Sequence, residues 1–262
     1  MDRETVGLTE GCLLKNILIK TPQQIEGIAA AGKQVANFFD FIRPHVKAGV
    51  KTIELDKLAE QFVEREKGVA AFREVPNYFH SICVSINEQI VHGIPGERVI
   101  AEGDLVKIDF GFKKNGFIGD ACRTFVVGEV PNRVRELVEV TETALNKAIE
   151  VCRIGKRIGD IGFTIQRYVE SHRFSVVREY VGHGVGIELH EPPNVPHYGH
   201  KNTGTELKEG MVIAIEPMIN MGTWRSKPLA DGWTVVTMDG KWSAQFEHTI
   251  AITKDGPRIL TI

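Results

Sequence analysis

The succession of patterned segments predicts an α+β protein in which helices precede strands and the whole order then occurs a second time. Three observations carry this. Apolar residues at helical spacing from Ile25 to Ile42 give way to two-residue alternation over Asp104 to Phe112. The same change recurs after Arg133. Segments of the two stretches also match one another at a nearly constant offset.

The first helix opens at Thr21-Pro22-Gln23-Gln24, where Thr21 suits the N-cap, Pro22 the first helical position and Gln24 the reciprocal capping position. Ile25, Ile28, Ala29, Val35, Ala36, Phe39 and Ile42 then share a face. A second helix after Thr52 carries Leu55, Leu58, Ala59, Phe62 and Val63. Strands are expected over Ser81 to Ile86, Asp104 to Phe112 and Phe117 to Val127. Helices resume over Arg133 to Cys152, with Val134, Leu137, Val138, Thr141, Leu145, Ala148 and Ile149 on one stripe, and over Asp160 to Glu170. Further strands follow around Ser175 to Glu179, Met211 to Met218, Thr234 to Met238 and Ser243 to Thr253.

Glu102-Gly103-Asp104-Leu105-Val106-Lys107-Ile108-Asp109 matches Glu209-Gly210-Met211-Val212-Ile213-Ala214-Ile215-Glu216 at an offset of 107. Gly49 matches Gly155, and Phe62-Val63-Glu64 matches Tyr168-Val169-Glu170, at an offset of 106. This agreement points to an internal duplication, with chance similarity of amphipathic stretches as the alternative. Two such units build one curved antiparallel sheet with helices on its outer face and a cleft where the units meet.

Composition excludes several function classes. The 262 residues are 42% hydrophobic and 25% charged, as in an ordinary globular protein. With 34 acidic and 32 basic residues the net charge is −2, so no basic footprint for nucleic acid or an anionic membrane is present. Cys12, Cys83, Cys122 and Cys152 form no CxxC pair, which argues against a disulfide framework or zinc ribbon and for a reducing compartment. No apolar run approaches a membrane span, and residues 1–20 lack the apolar core of a signal peptide. Gly27 to Gln34 nearly spells a phosphate loop, but it follows no strand and ends in glutamine. His190-Glu191 is followed at once by prolines and so opens no HExxH zinc helix.

The chemistry lies in the acids. After the loop around Lys113-Lys114-Asn115-Gly116, the chain returns with Asp120. A two-residue Asn-Gly turn sets Asp109 and Asp120 diagonally on one sheet face, and a four-residue loop sets them directly opposite. A three-residue loop would separate them. Like charges so placed repel, and a divalent cation removes the conflict. Taken alone, the pair fits two solvated carboxylates equally well. Glu216, however, lies in the apolar run Val212-Ile213-Ala214-Ile215, where an acid needs a partner. It stands where Asp109 stands in the first unit, and Glu247 in the last hairpin stands as Asp120 does. His183, flanked by glycines in Gly182-His183-Gly184-Val185-Gly186, adds an imidazole. Such a set suits Mn, Fe, Co or Zn, and paired carboxylates suit two ions about 3.5–4 Å apart.

At these residues the sequence resembles the type I methionine aminopeptidases of the creatinase/prolidase-like superfamily, with its duplicated pita-bread fold. The motifs are Ser85-Ile86-Asn87-Glu88, Val91-His92-Gly93-Ile94-Pro95, Lys107-Ile108-Asp109, Gly119-Asp120, Gly182 to Gly186, Leu189-His190-Glu191-Pro192, Ile215-Glu216-Pro217-Met218, Asp231-Gly232-Trp233-Thr234 and Gln245-Phe246-Glu247-His248-Thr249. The resemblance implies a hydrolase that removes initiator methionine, preferring a small second residue, by water activated between two divalent ions (Co, Mn, Fe or Zn). Asp109, Asp120, His183, Glu216 and Glu247 fall on the family's metal ligands, with Asp120 and Glu247 bridging. His92 and His190 fall on its substrate histidines, with Glu216 as proton shuttle. Tyr78, Cys83 and Trp233 fall near its methionine pocket, and Asn87 and Ser243 near a site for a monovalent cation (Na or K).

Only 26 positions separate His190 from Glu216, too few for the type II insertion. The expected organisation is an N-terminal extension over residues 1–20 and one catalytic domain over 21–262, with halves at about 21–130 and 131–262. The expected setting is a cytoplasmic monomer acting on N-termini of nascent polypeptides near the ribosome, with no membrane or sequence-specific nucleic acid as partner. Two departures bear on pocket shape. Phe79 and His80 stand where the family usually has a proline, and Leu189 where it usually has phenylalanine. The rival readings are a proline-directed peptidase of the same superfamily and a non-catalytic binding module, which typically loses the metal ligands kept here.

Overall fold

The computed structural model describes residues 17–262; residues 1–16 of the expected extension, Cys12 among them, lie outside the described residues. The first stretch gives α1 (Pro22–Ile42), α2 (Thr52–Arg65), β1 (Val69–Ala70), β2 (Cys83–Ile86), β3 (Gln89–Val91), β4 (Leu105–Lys114) and β5 (Phe117–Val126). The second gives α3 (Asn132–Glu150), α4 (Ile158–Ser171), β6 (Ser175–Val176), β7 (Gly182–Gly184), β8 (Glu191–Val195), β9 (Val212–Ile215), β10 (Met218–Asn220), β11 (Ser226–Pro228), β12 (Val235–Thr237), β13 (Ser243–Gln245), β14 (His248–Thr253) and β15 (Gly256–Ile259).

The capping signal holds: Thr21 Oγ1 accepts from Gln24 N–H at 3.3 Å, and Gln24 Oε1 accepts from Thr21 N–H at 2.9 Å. Helical periodicity selects the buried faces with small revisions. Phe38 joins Val35, Phe39 and Ile42 on α1, and Val140 rather than Val138 is fully covered on α3. The α1–α2 pair packs on β2, β4 and β5 through Phe38, Phe62 and Phe110, whose ring centroids lie 4.0–6.2 Å apart. Each such pair of rings adds roughly 0.5–1.5 kcal/mol to the gain from burial alone. The α3–α4 pair packs in the same way on β9 and β14.

The strand pairings are antiparallel. β4 carries β1 and β2 along one edge and β5 along the other, while β15, β14, β9, β7 and β8 form a second sheet in that order. Equivalent positions of the two stretches share backbone detail. Gly49 and Gly155 have φ of +87° and +83°, and Gly103 and Gly210 have +90° and +84°. Lys51 and Arg157, just before α2 and α4, each make an isolated bridge and each give their N–H to an acid three residues on, Glu54 or Asp160.

The two strands expected over Met211 to Met218 and Ser243 to Thr253 are each split. β9 ends at Ile215 and β10 begins at Met218, while β13 ends at Gln245 and β14 begins at His248. Pro217 has no N–H to give a ladder, and the facing strand breaks at the same level, between the pairs Ile215↔His248 and Met218↔Gln245. The strand expected from Ser81 starts only at Cys83, because Asp56 of α2 captures the N–H groups of Ser81 and Ile82 at 2.8 and 3.3 Å.

Helix α1 crosses β5 through two glycines. A Cβ on Gly119 would stand 2.5 Å from the Gly32 Cα, backbone that cannot move without lifting the helix. Gly119→Ala is therefore expected to lower unfolding free energy by about 3 kcal/mol, measured as the urea midpoint at unchanged slope. Gly96→Ala is the control, since the added methyl meets nothing nearer than 4.0 Å. Equal stabilities for the two variants would show that this crossing is not a tight contact.

Candidate active site

Asp109 on β4 and Asp120 on β5 lie on one face in the diagonal arrangement. Lys114 pairs with Phe117, so Asn115-Gly116 is a two-residue turn, and Asp109 pairs with Cys122 while Gly111 pairs with Asp120. Glu216 and Glu247 fall in the facing strand breaks, and the register on either side sets them opposite each other. The second acid pair thus differs from the first, which is diagonal.

His183 on β7 completes the group. Its Nδ1 donates to the Gly184 carbonyl at 2.9 Å, which leaves the Nε2 lone pair facing inward, 3.5 Å from Glu216 Oε1 and 3.9 Å from Asp120 Oδ2. One donor atom each of Asp120, His183 and Glu247 lies within 4.8 Å of the others, and Asp109 and Glu216 line the same cavity.

The electrostatics are those of acids crowded together out of water, with only the Arg123 guanidinium offsetting Glu247 in part. Burial, then Asp120 and Glu216, pushes Asp109 well above the usual carboxylate range. Burial, then Asp120, does the same to Glu216, and burial with all three neighbouring acids raises Glu247. Burial raises Asp120 to about 7. His183 is pushed down to about 3 by burial and by His190, so its imidazole is neutral. Asp109 Oδ1, Asp120 Oδ1 and Glu247 Oε1 are buried without a hydrogen-bond partner among the described residues. Orphaned carboxylate oxygens beside a neutral imidazole lone pair are a donor set that fits divalent cations.

Side chains to which the sequence reading gives no role hold these groups. Gln245 Nε2 donates to Glu216 Oε2 at 3.1 Å and Gln245 Oε1 accepts from the Cys122 thiol, while the Glu216 N–H donates to His197 Nε2 at 3.2 Å. A buried ion pair between Lys20 and Glu191 anchors the turn carrying His190, and the other Glu191 oxygen accepts from the N–H groups of Ile187 and Glu188. A motif reading names the functional acid or histidine but not the distant residue that fixes it.

The cavity above the acids has a volume of about 860 Å³. Phe72, Tyr78, Cys83, Leu189 and Trp233 line its apolar side; the Tyr78 ring meets Trp233 edge-on at 4.9 Å, and its hydroxyl donates to the Ile82 carbonyl. Burial pushes the Cys83 thiol up, so it stays neutral. His92 and His190 also line the cavity, the latter 4.5 Å from His183 between ring centroids. His92 has φ of +58°, uncommon for a residue with a side chain, and burial, with the neighbouring His190 as a further cause, pushes it down to about 4. Burial lowers His190 as well. Of the two departures, Leu189 lines the cavity, whereas Phe79 is 77% exposed and is not among the lining residues. Asn87 and Ser243 lie outside the cavity lining, and the carbonyl oxygens of both accept from the Lys107 Nζ, at 2.9 and 2.8 Å.

Among the described residues, no helix is long and apolar enough to cross a membrane. Residues 26–254 match the model of metallopeptidase family M24. Methionine aminopeptidase 1 of Bacillus subtilis is 50% identical over 245 residues, spanning 94% of this chain and 99% of that protein. The Escherichia coli methionine aminopeptidase is 42% identical, spanning 94% of each. The crystal structure of the Thermotoga maritima methionine aminopeptidase superposes with a TM-score of 0.92 at 46% identity, over 94% of this chain and 99% of that one. The prolidase from Pyrococcus furiosus gives 0.74 at 26% identity, over 93% of this chain and 65% of that one. By sequence and by fold, then, the chain belongs to metallopeptidase family M24, among its methionine aminopeptidases.

Proposed function

We propose that the chain removes the initiator methionine from new polypeptides whose second residue is small. One observation carries the reading: four carboxylates and one neutral imidazole nitrogen converge beneath an apolar cleft that also presents His92 and His190. Asp109, Asp120, His183, Glu216 and Glu247 would hold two divalent ions, of Co, Mn, Fe or Zn, with Asp120 and Glu247 shared. When bound, such ions lower the pKa of water toward neutrality and polarise a carbonyl. Residues 21–262 act as one catalytic domain with related halves at about 21–130 and 131–262. The setting we infer is cytoplasmic, a location that the bacterial methionine aminopeptidases named above support, with the monomer acting on N-termini emerging near the ribosome.

The side chains divide the chemistry. Glu216, steadied by Gln245, takes the proton of the attacking water and passes it to the leaving amine. His190 is neutral and donates a hydrogen bond to the scissile carbonyl as negative charge grows. His92 lies on the leaving side, near the peptide nitrogen. Phe72, Tyr78, Cys83, Leu189 and Trp233 accept the thioether side chain and keep water away. A bulky second residue shifts the carbonyl off its attack position, and small misplacements are costly.

The raised acids fix the sign of a pH effect. The ion-free folded chain keeps protons that the unfolded chain has lost, so these acids make stability fall as pH rises through about 7, where Asp120 titrates. A divalent ion needs the acids ionised, so its benefit grows over the same window. The melting temperature with excess Mn²⁺ minus that with chelator is expected to widen between pH 6 and 8, reaching several degrees. Groups away from the site cancel in this difference. A gap that stays constant or narrows would mean that the ion uses other ligands.

The two adjacent histidines separate by role. His190→Ala is expected to lower kcat by about 10²–10³-fold while metal content by elemental analysis stays near that of the native protein. His183→Ala should lower both, and the reverse pattern would exchange the assignments. Across a peptide panel, Met-Ala should be cleaved well and Met-Lys poorly, with norleucine a fair replacement for methionine, because an apolar pocket separates such side chains by only about 1–3 kcal/mol. Faster cleavage of Ala-Pro than of Met-Ala would favour a proline-directed peptidase instead.

A further inference from the structure

Lys107 is fully buried, 1% exposed, on β4 two residues before Asp109. No carboxylate lies within ion-pair distance of its Nζ among the described residues. It donates instead to two backbone carbonyls, Asn87 in the turn between β2 and β3 and Ser243 at the start of β13. These are the two positions where the sequence resembles a monovalent-cation site. The cradle is well built. Asn87 has φ of +52°; its side chain donates to Asp104 and accepts from the Leu105 N–H, and its carbonyl also accepts the Ser243 N–H at 3.0 Å. Converging carbonyls replace the hydration shell of an alkali cation, and an ammonium offers them the same charge through N–H donors.

We infer that Lys107 is a tethered replacement for a monovalent cation: its ammonium occupies the Asn87 and Ser243 carbonyls, so the chain needs neither Na⁺ nor K⁺ there. A second monocation cannot share two buried carbonyls with an ammonium at contact distance, because like charges repel strongly out of water. The tether ties the Asn87 turn to β13, the strand that leads through Gln245 to Glu247. The two carbonyls are therefore occupied by a covalently held group, whatever the salt.

The test is thermal unfolding at pH 6.5 in tetramethylammonium chloride, NaCl and KCl of equal ionic strength. The native chain should melt at the same temperature in all three. Lys107→Ser opens the cradle; it should melt about 5 °C lower in tetramethylammonium chloride and regain at least half of that, saturably, in NaCl or KCl. Lys107→Met fills the space without charge and should be destabilised with no response to salt. A saturable rise of the native chain in Na⁺ or K⁺, or a salt-insensitive Lys107→Ser, overturns the inference. Should Lys107→Ser fail to fold in any salt, sodium-23 line broadening on the native protein decides: saturable broadening displaced by K⁺ overturns the inference, and its absence upholds it.

Discussion

The repulsion among Asp109, Asp120, Glu216 and Glu247 is the constraint on which the rest of the structure depends. Four carboxylates in one buried pocket cannot all ionise without a counter-charge; among the described residues the imidazole beside them, His183, is neutral, and the Arg123 guanidinium offsets only part of the burden on Glu247. Folding alone would dissolve such a cluster in favour of apolar side chains. Its persistence is explained by what it binds, and the hydrophobic packing of α1, α2, α3 and α4 against the sheets supplies the stability that the cluster subtracts.

The acids are held in two different ways. Asp109 and Asp120 project from uninterrupted strands, so their positions follow from the pleat and the two-residue turn. Glu216 and Glu247 lie where both strands open. The chain there is free of the ladder and is steadied by side chains instead, Gln245 on the Glu216 carboxylate and His197 on its N–H. The shuttling role proposed for Glu216 would benefit from this arrangement, because a side chain in a strand gap can approach the cleft from an angle the pleat does not allow. The hydrogen bond from His183 Nδ1 to Gly184 turns the other ring nitrogen toward the acids by the same economy of local geometry.

How much of this was legible in the sequence divides along the distance between partners. The Thr21 cap and the shared face of Asp109 and Asp120 rest on neighbours within a few residues or across one hairpin and are found as read, and of the loops possible at Asn115-Gly116 the two-residue turn is the one formed. The strand gap at Glu216 had a signal, Pro217, that a simple alternation pattern passes over. Lys20 with Glu191, Asp56 with Ser81, His197 with Glu216 and Lys107 with Ser243 left no trace, because each joins segments whose proximity only the tertiary fold creates. Lys107 shows the limit most plainly. On its strand it reads as an ordinary residue of the Asp109 face, and its burial follows only from the carbonyls that the other half of the chain brings to it.

The unequal registers of the two acid pairs bear on the order in which the protein can assemble. Eleven positions separate Asp109 from Asp120, and 31 separate Glu216 from Glu247. The first pair belongs to a tight hairpin, a contact of short loop that closes quickly; the second waits on a longer excursion through β10, β11 and β12 and on the return of β13. Docking the second pair onto the first brings four carboxyl groups together out of water, which without an ion requires them to take up protons. A chain that meets a divalent ion while still folding crosses that last step with the repulsion screened, and one that meets none crosses it uphill.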